Sequence, residues 1–115
     1  MLLVITLLFI LLTVFLILFP VVEIDGTSMC PTFEDKDKLR CTRIFKKLEI
    51  GSIYVYKRME EGEEYLVVKR LSNISKQGDI TYCYFLGDNS EHSLDSRHYG
   101  WIDSRNIIAK VYERR

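Results

Sequence analysis

Ser28 and Lys69 are the residues whose types and surroundings could carry covalent chemistry in this chain. Ser28 lies in the heptapeptide Gly-Thr-Ser-Met-Cys-Pro-Thr (residues 26–32), just beyond a long apolar run. A serine hydroxyl is a weak nucleophile unless a neighbouring base takes its proton. Lys69 lies in the apolar segment Tyr-Leu-Val-Val-Lys-Arg-Leu (residues 65–71), where burial would disfavour the ammonium and lower its pKa. A neutral lysine of this kind can serve a serine as general base.

Two other interpretations stay open at the level of single residues. His92 and His98 follow in a polar loop, so a triad of serine, histidine and an acid is a second way to activate Ser28. Lys69 could instead extend its ammonium to the edge of a sheet and have only a structural role.

Composition limits the class of protein. Lysine plus arginine and aspartate plus glutamate balance at 16 each, so no basic surface indicates a nucleic-acid partner. Cys30, Cys41 and Cys83 are an odd number without a Cys-x-x-Cys pair, which argues against a zinc site or a disulfide framework, although one bridge between Cys41 and Cys83 is conceivable. The roughly 93 residues after the apolar run suffice for one small domain.

The apolar run, residues 1–22, is interrupted only by Thr6, Thr13 and Pro20. Residues 2–19 as a helix would reach roughly 27 Å, close to the thickness of a bilayer core. A cleavable signal peptide fits less well, because the run is long and has neither a basic start nor an Ala-x-Ala-like site. We therefore expect a single transmembrane anchor over residues 1–22 and an extracytoplasmic domain over residues 23–115.

The domain is predicted to be mainly β. Short runs rich in Val, Ile, Tyr and Phe, separated by Gly, Asn and acidic turns, predict strands over residues 38–43, 52–58, 65–72, 79–86 and 106–113, the last of which also fits helical spacing. Ile53 and Val55 alternate with Tyr54 and Tyr56, a pattern typical of a half-buried antiparallel strand with one wetter face. We expect a small twisted antiparallel sheet or partial barrel.

Three blocks taken together resemble type I signal peptidases, in the small, Gram-positive-like form of the bacterial Ser-Lys type. Residues 26–32 resemble the nucleophile motif, and Val-Val-Lys-Arg at residues 67–70 resembles the strand that bears the base. Residues 86–100, Leu-Gly-Asp-Asn-Ser-Glu-His-Ser-Leu-Asp-Ser-Arg-His-Tyr-Gly, resemble the Gly-Asp-Asn…Ser-x-Asp-Ser-Arg box. The last block is the most specific, since it matches about nine residue types within fifteen positions.

The resemblance implies a catalytic role for three side chains. Ser28 would be the acylating nucleophile, Lys69 the general base, and Ser93 the hydroxyl that orients the lysine amine. The backbone N–H of Ser28 would be one oxyanion donor. Gly26 stands where some members of the family carry a helping hydroxyl, so backbone donors or Thr27 would have to serve.

Further residues of these blocks would support the site. Asp88 and Asn89 would form a tight turn, and Asp95 with Arg97 a structural ion pair. Met29 would lie along the substrate-binding wall, although a core position is an equal alternative.

The function implied is removal of N-terminal signal peptides from exported preproteins by a membrane-bound serine endopeptidase. The expected partners are such preproteins, the lipid bilayer and, as a further candidate, the secretion machinery, with no nucleic acid and no metal or organic cofactor. The expected location is the cytoplasmic membrane, with a single pass.

Two alternative functions, and two possible breadths of substrate range, are compatible with the sequence. A non-proteolytic or dedicated assembly factor for pili or surface proteins would keep the fold, but the presence of both Ser28 and Lys69 argues against it. A self-cleaving regulator of the repressor type is disfavoured by the apolar run and by residues 87–100. Seventeen residues separate Lys69 from Gly87, too few for the accessory domain of larger members, so a dedicated peptidase is as plausible as a general one.

Overall fold

A computed structural model describes residues 1–114. The chain begins with helix α1 and continues into seven strands, with a short helix α2 and two 3-10 turns between β5 and β7. The elements are α1 Leu2–Leu18, β1 Val21–Glu23, β2 Lys38–Thr42, β3 Ile53–Glu60, β4 Glu63–Gln77, β5 Ile80–Leu86, α2 Ser96–Tyr99, β6 Ile102–Asp103 and β7 Ile107–Arg114, with the turns at Ser90–His92 and Ser104–Asn106.

The strands form one antiparallel sheet in the order β1-β2-β7-β3-β4-β5-β6. The prediction of a mainly β, antiparallel domain behind an N-terminal helix is confirmed. The last segment is a strand rather than a helix, and it lies between β2 and β3.

Strand β4 is longer than predicted and has a different neighbour along each half. Its first half pairs with β3, from Glu63 opposite Glu60 to Arg70 opposite Ile53. Its second half pairs with β5 from Arg70 onward, with a register shift between Leu71 and Asn73. The predicted end of this strand at residue 72 was therefore wrong, because pairing with β5 extends β4 to Gln77.

Hydrophobic side chains are buried on both faces of the sheet. Ile53 and Val55 belong to one core cluster, with Met29, and Tyr54 and Tyr56 belong to a second. These first four residues of β3 are each at most 8% exposed. The expectation of one wetter face for this strand was wrong, because separate sets of side chains cover the two faces: Ile24, Met29 and Phe33 on one, and Phe45, Leu48, Tyr99 and Ile102 on the other.

The N-terminal apolar run divides into two elements. Helix α1 has no buried residue, whereas Val21 and Val22, expected in the anchor, pair with β2 as part of β1. The backbone N–H of Arg43 donates to the carbonyl of Leu18 at 2.8 Å, which joins the end of α1 to the end of β2. Among the described residues, none of the helices meets the length and hydropathy needed to cross a membrane.

All three cysteines are free thiols. Cys41 is buried in one core cluster and Cys83 in the other, so the conceivable bridge between them is not formed. Burial raises the pKa of Cys41 and of Cys83 to about 11, and both remain protonated at neutral pH.

Candidate active site

Ser28 and Lys69 meet although they are 41 residues apart in the chain. Ser28 lies in the loop between β1 and β2, and Lys69 lies on β4 opposite Tyr54 of β3. The Lys69 Nζ donates to the Ser28 Oγ at 2.6 Å. Lys69 is only 6% exposed. The structure therefore places an amine, largely shielded from water, in contact with the hydroxyl that it would have to deprotonate.

The pKa of Lys69 is lowered from its ordinary value. Burial disfavours the ammonium and is the larger effect, while the Asp95 carboxylate opposes it by raising the pKa. The neutral amine is thus more populated than in a solvent-exposed lysine. Neither histidine takes this position: His98 Nδ1 accepts from the backbone N–H of Asp95, and the His92 side chain is exposed.

Asp95 is a fully buried carboxylate with a complete set of donors. It accepts hydrogen bonds from the Gly87 N–H at 2.8 Å, from Ser93 Oγ at 2.8 Å, and from Arg97 Nε and Nη2 at 2.9 and 2.8 Å. Burial alone would raise the pKa of Asp95, but these hydrogen bonds, Arg97 first, bring it well below its usual range. The predicted ion pair between Asp95 and Arg97 is present, and it keeps a negative charge near Lys69.

Ser93 is buried beside this carboxylate. The sequence predicts that its hydroxyl orients the Lys69 amine, but in the structure the hydroxyl donates to Asp95 instead. The group that acts on Lys69 by its charge is Asp95.

Asn89 fixes the backbone of the loop that carries Ser28. Its backbone N–H donates to the Ser28 carbonyl at 2.9 Å, and its Nδ2 donates to the Thr27 carbonyl at 3.1 Å. The residue predicted to support a tight turn after β5 thus also holds the nucleophile loop.

Asp88 links the loop after β5 to β4 and to the nucleophile loop through side-chain hydrogen bonds. Arg70 Nε and Nη2 donate to its two oxygens at 2.9 and 2.7 Å, and Thr32 Oγ1 donates at 2.5 Å. The hydrogen bonds from Arg70 lower the pKa of Asp88 most. Sequence reasoning missed the roles of Arg70 and Thr32, although both lie inside the motifs that pointed to the site.

Gly87 was also missed as a site residue. A Cβ at this position would lie 2.0 Å from Ser93 Oγ and 2.8 Å from the Ser28 carbonyl oxygen. Glycine is required here for space, which a sequence motif alone does not reveal.

Met29 is not on the wall of the site. It is 1% exposed and packs in the core cluster with Ile24 and Phe33. The core alternative is the one that the structure adopts, and Met29 supports the nucleophile loop from beneath.

A cleft of about 520 Å³ opens at Ser28 and Lys69. The segment 23–28 lines one side and residues 65–69 of β4 line the other, with Arg58, Glu60, His92 and Leu94 at its margins. Within residues 1–114, no cluster of three or more His, Cys, Asp or Glu side chains is arranged to hold a metal ion. The Ser28 hydroxyl and the Lys69 amine, in contact with each other, therefore line an open cleft.

Comparison with known proteins shows a similarity to a membrane protease subunit. The chain is 31% identical, over 119 aligned positions, to mitochondrial inner membrane protease subunit 1 of Schizosaccharomyces pombe, and the alignment covers 84% of this chain and 73% of the relative. No protein-family model matches the chain.

Proposed function

The chain belongs to the signal-peptidase-like family of proteases, and on that premise we propose that it is a membrane-bound serine endopeptidase with Ser28 as nucleophile and Lys69 as general base. The observation that carries the proposal is the 2.6 Å contact between Lys69 Nζ and Ser28 Oγ. Its substrates would be exported preproteins, from which it removes the N-terminal signal peptide.

In the proposed reaction, neutral Lys69 accepts the Ser28 proton as Oγ attacks the scissile carbonyl. The developing oxyanion would be stabilised by the backbone N–H of Ser28, whose peptide is held in place by Asn89. Lys69 would then give its proton to the leaving amine, and after that it would activate the water that releases the acyl group. No cofactor enters this sequence.

Strand β4 offers a place for the substrate backbone. Its residues 65–69 pair with β3 on one side and line the cleft on the other, because the pairing with β5 starts only at Arg70. An extended peptide could add to this edge by main-chain hydrogen bonds, with the scissile bond near Ser28. The family resemblance implies small, alanine-like residues at the first and third positions before the cut.

We further propose that α1 and the apolar residues around it anchor the chain in the cytoplasmic membrane by a single pass, with the domain from residue 23 on the extracytoplasmic side. A 17-residue helix rises about 26 Å, and bilayers thin locally around short apolar helices. The fission-yeast relative is a subunit of a mitochondrial inner membrane protease, which supports an association with a membrane. The bilayer and the secretion machinery would then be partners of the chain. We also propose that the chain is of the small, bacterial Ser-Lys form of the family.

The test is reconstitution of the full chain in liposomes with a panel of preproteins. We expect Ser28→Ala and Lys69→Ala to abolish processing, whereas Ser75→Ala and Lys76→Ala, on the distal half of β4, should leave it unchanged. Processing that survives either site substitution would rule out the dyad. Absence of processing by the unmodified chain, with the preproteins still bound, would favour the non-proteolytic assembly factor.

A further inference from the structure

The loop between β2 and β3, residues 43–50, carries three exposed cations that the proposed reaction does not use. We refer to it as the basic loop. Arg43, Lys46 and Lys47 are exposed, and none of them forms a salt bridge with another residue in the range 1–114. Glu49, the acid of the loop, is held by Lys110 at 2.7 Å, so the outward face of the loop is positive.

The basic loop has a defined shape. Phe45 and Leu48 pack against the core cluster that contains Tyr54, and the Phe45 and Tyr54 rings meet edge to face at 5.6 Å. The Glu49 N–H donates to the Tyr54 hydroxyl at 2.9 Å. These contacts hold Phe45 and Leu48 against the domain, while Arg43, Lys46 and Lys47 remain exposed.

The basic loop also carries exposed apolar side chains. Ile44 is 59% exposed and Ile50 is 62% exposed. Exposed isoleucines between lysines and arginines are typical of segments that rest in the headgroup region of a bilayer, with apolar groups inward and cations at the phosphates.

The position of the basic loop relative to α1 decides which partner it meets. The Arg43 N–H donates to the Leu18 carbonyl at 2.8 Å, so the loop starts at the last turn of the helix. If α1 lies in a bilayer, as proposed above, the basic loop is held at the level of the lipid headgroups. We propose that the basic loop binds the phosphate groups of anionic phospholipids and thereby fixes how the domain stands on the membrane.

This inference rests on the proposed anchor but not on the proposed chemistry. Each cation close to an anionic membrane surface adds about 1 kcal/mol, or about fivefold, to lipid attraction. The effect falls off within the Debye length, about 8 Å at physiological ionic strength. Anionic lipid should therefore be enriched around residues 43–47, and high salt should remove the enrichment.

The experiment uses the full chain with Ile44→Trp and Trp101→Phe, so that a single tryptophan reports on the basic loop. It is reconstituted in phosphatidylcholine vesicles containing phosphatidylglycerol, with bromine on the phosphatidylglycerol or on an equal mole fraction of the phosphatidylcholine. We expect tryptophan quenching by brominated phosphatidylglycerol to exceed that by brominated phosphatidylcholine by at least about twofold at low salt. Lys46→Glu with Lys47→Glu should abolish the preference.

The matched control is Lys57→Glu with Lys76→Glu, which makes the same change in net charge at exposed positions of β3 and β4 and should retain the preference. Equal quenching by the two lipids overturns the inference and would leave an acidic protein surface as the partner of these cations. Loss of the preference in the control also overturns it, since net charge alone would then explain the effect. Failure of the chain to float with the vesicles overturns both this inference and the proposed anchor. Loss of peptidase activity alone contradicts neither of them, because lipid binding and anchoring do not depend on the proposed chemistry.

Discussion

Lys69 occupies a position in which an apolar side chain would suit the sheet better. It is 6% exposed, it pairs across the sheet with the fully buried Tyr54, and its Nζ donates to the Ser28 hydroxyl rather than to a carboxylate. Burial of a cation without a direct counter-ion costs free energy of folding. Such a cost is expected where a lysine must lose its proton to function.

The pH dependence of activity should follow the protonation of Lys69. Because its pKa is lowered and only the neutral amine can act as base, kcat/KM should rise with pH with a midpoint below 10.5. Asp95→Asn removes the charge that raises this pKa, so the midpoint should move to lower pH, whatever happens to the maximal rate. Asp103→Asn, where the carboxylate pairs with Arg105, should leave it in place. A midpoint that stays or rises in Asp95→Asn would contradict the proposed coupling.

Stability should change in the opposite sense from activity when Lys69 is replaced. A lowered pKa means that the unfolded chain binds the proton more tightly, so the folded protein is penalised in full below the folded pKa and progressively less between that pKa and 10.5. Lys69→Met should raise the free energy of unfolding by about 1 kcal/mol at neutral pH. The gain should shrink as the pH approaches 10.5. Denaturant unfolding in detergent micelles measures it, with the exposed Lys76→Met as a control that should show no gain; a destabilised Lys69→Met would contradict the argument.

At the scale of elements, the site forms where three segments meet: the loop after β1, the first half of β4 and the loop after β5. Asn89 and Asp88 tie the third segment to the other two. The nucleophile lies on a loop and the base on a strand, and the loop after β5 is bonded to both, so we expect their 2.6 Å separation to depend on that loop.

Gly87 is the position at which this arrangement is most sensitive. Gly87→Ala would place a methyl group 2.0 Å from Ser93 Oγ and 2.8 Å from the Ser28 carbonyl oxygen, so the nucleophile loop must shift. A displacement of about 1 Å in an active site can cost about a hundredfold in rate, and we expect a loss of that order in kcat/KM. Adding Ser93→Ala removes the clash with Oγ but leaves the contacts with Ser93 Cβ at 2.5 Å and with the Ser28 carbonyl oxygen at 2.8 Å, so recovery should be slight when compared with Ser93→Ala alone. Full activity in Gly87→Ala would show that the loop is free to move.

Much of this element arrangement could be predicted from the sequence. The segments that became β2, β3, β5 and β7 are rich in β-branched and aromatic residues and were placed correctly. The second half of β4 was missed because Asn73, Ser75 and Gly78 indicate a turn, whereas pairing with β5 overrides that local preference. Strand β1 was not predicted, because Val21 and Val22 continue the apolar run of the N-terminal segment.

The order of the strands and the finer site geometry could not be read from periodicity. Nothing in residues 106–113 indicates that this strand lies between β2 and β3, because pairing partners are a tertiary property. The resemblance of three motifs predicted that Ser28 and Lys69 lie together. It also predicted that the Ser93 hydroxyl contacts Lys69, whereas in the structure this hydroxyl donates to Asp95. Hydrogen-bond partners within a buried polar cluster depend on distances of a few tenths of an ångström, which motifs do not encode.

At the scale of the whole molecule, α1 adds little to the domain core. None of its residues is buried, and at its end the carbonyl of Leu18 accepts a hydrogen bond from the Arg43 N–H. A helix that adds so little to the domain core contributes chiefly by where it places that core. On the proposed function, it places the cleft beside a substrate that is itself held in the membrane.

Sharing one membrane should therefore matter more than intrinsic affinity for the substrate. Confinement of enzyme and preprotein to the same bilayer raises their effective concentration, and the gain can reach about a hundredfold or more. We expect full-length preprotein to be processed at least about a hundredfold faster when it is co-reconstituted with the chain than when the two occupy separate vesicles at equal total concentration. A soluble peptide that contains the cleavage region without the apolar segment should be cleaved at the same rate in both preparations, which controls for the amount of active enzyme. Equal processing of the preprotein in the two arrangements would mean that the cleft recognises its substrate without help from the bilayer.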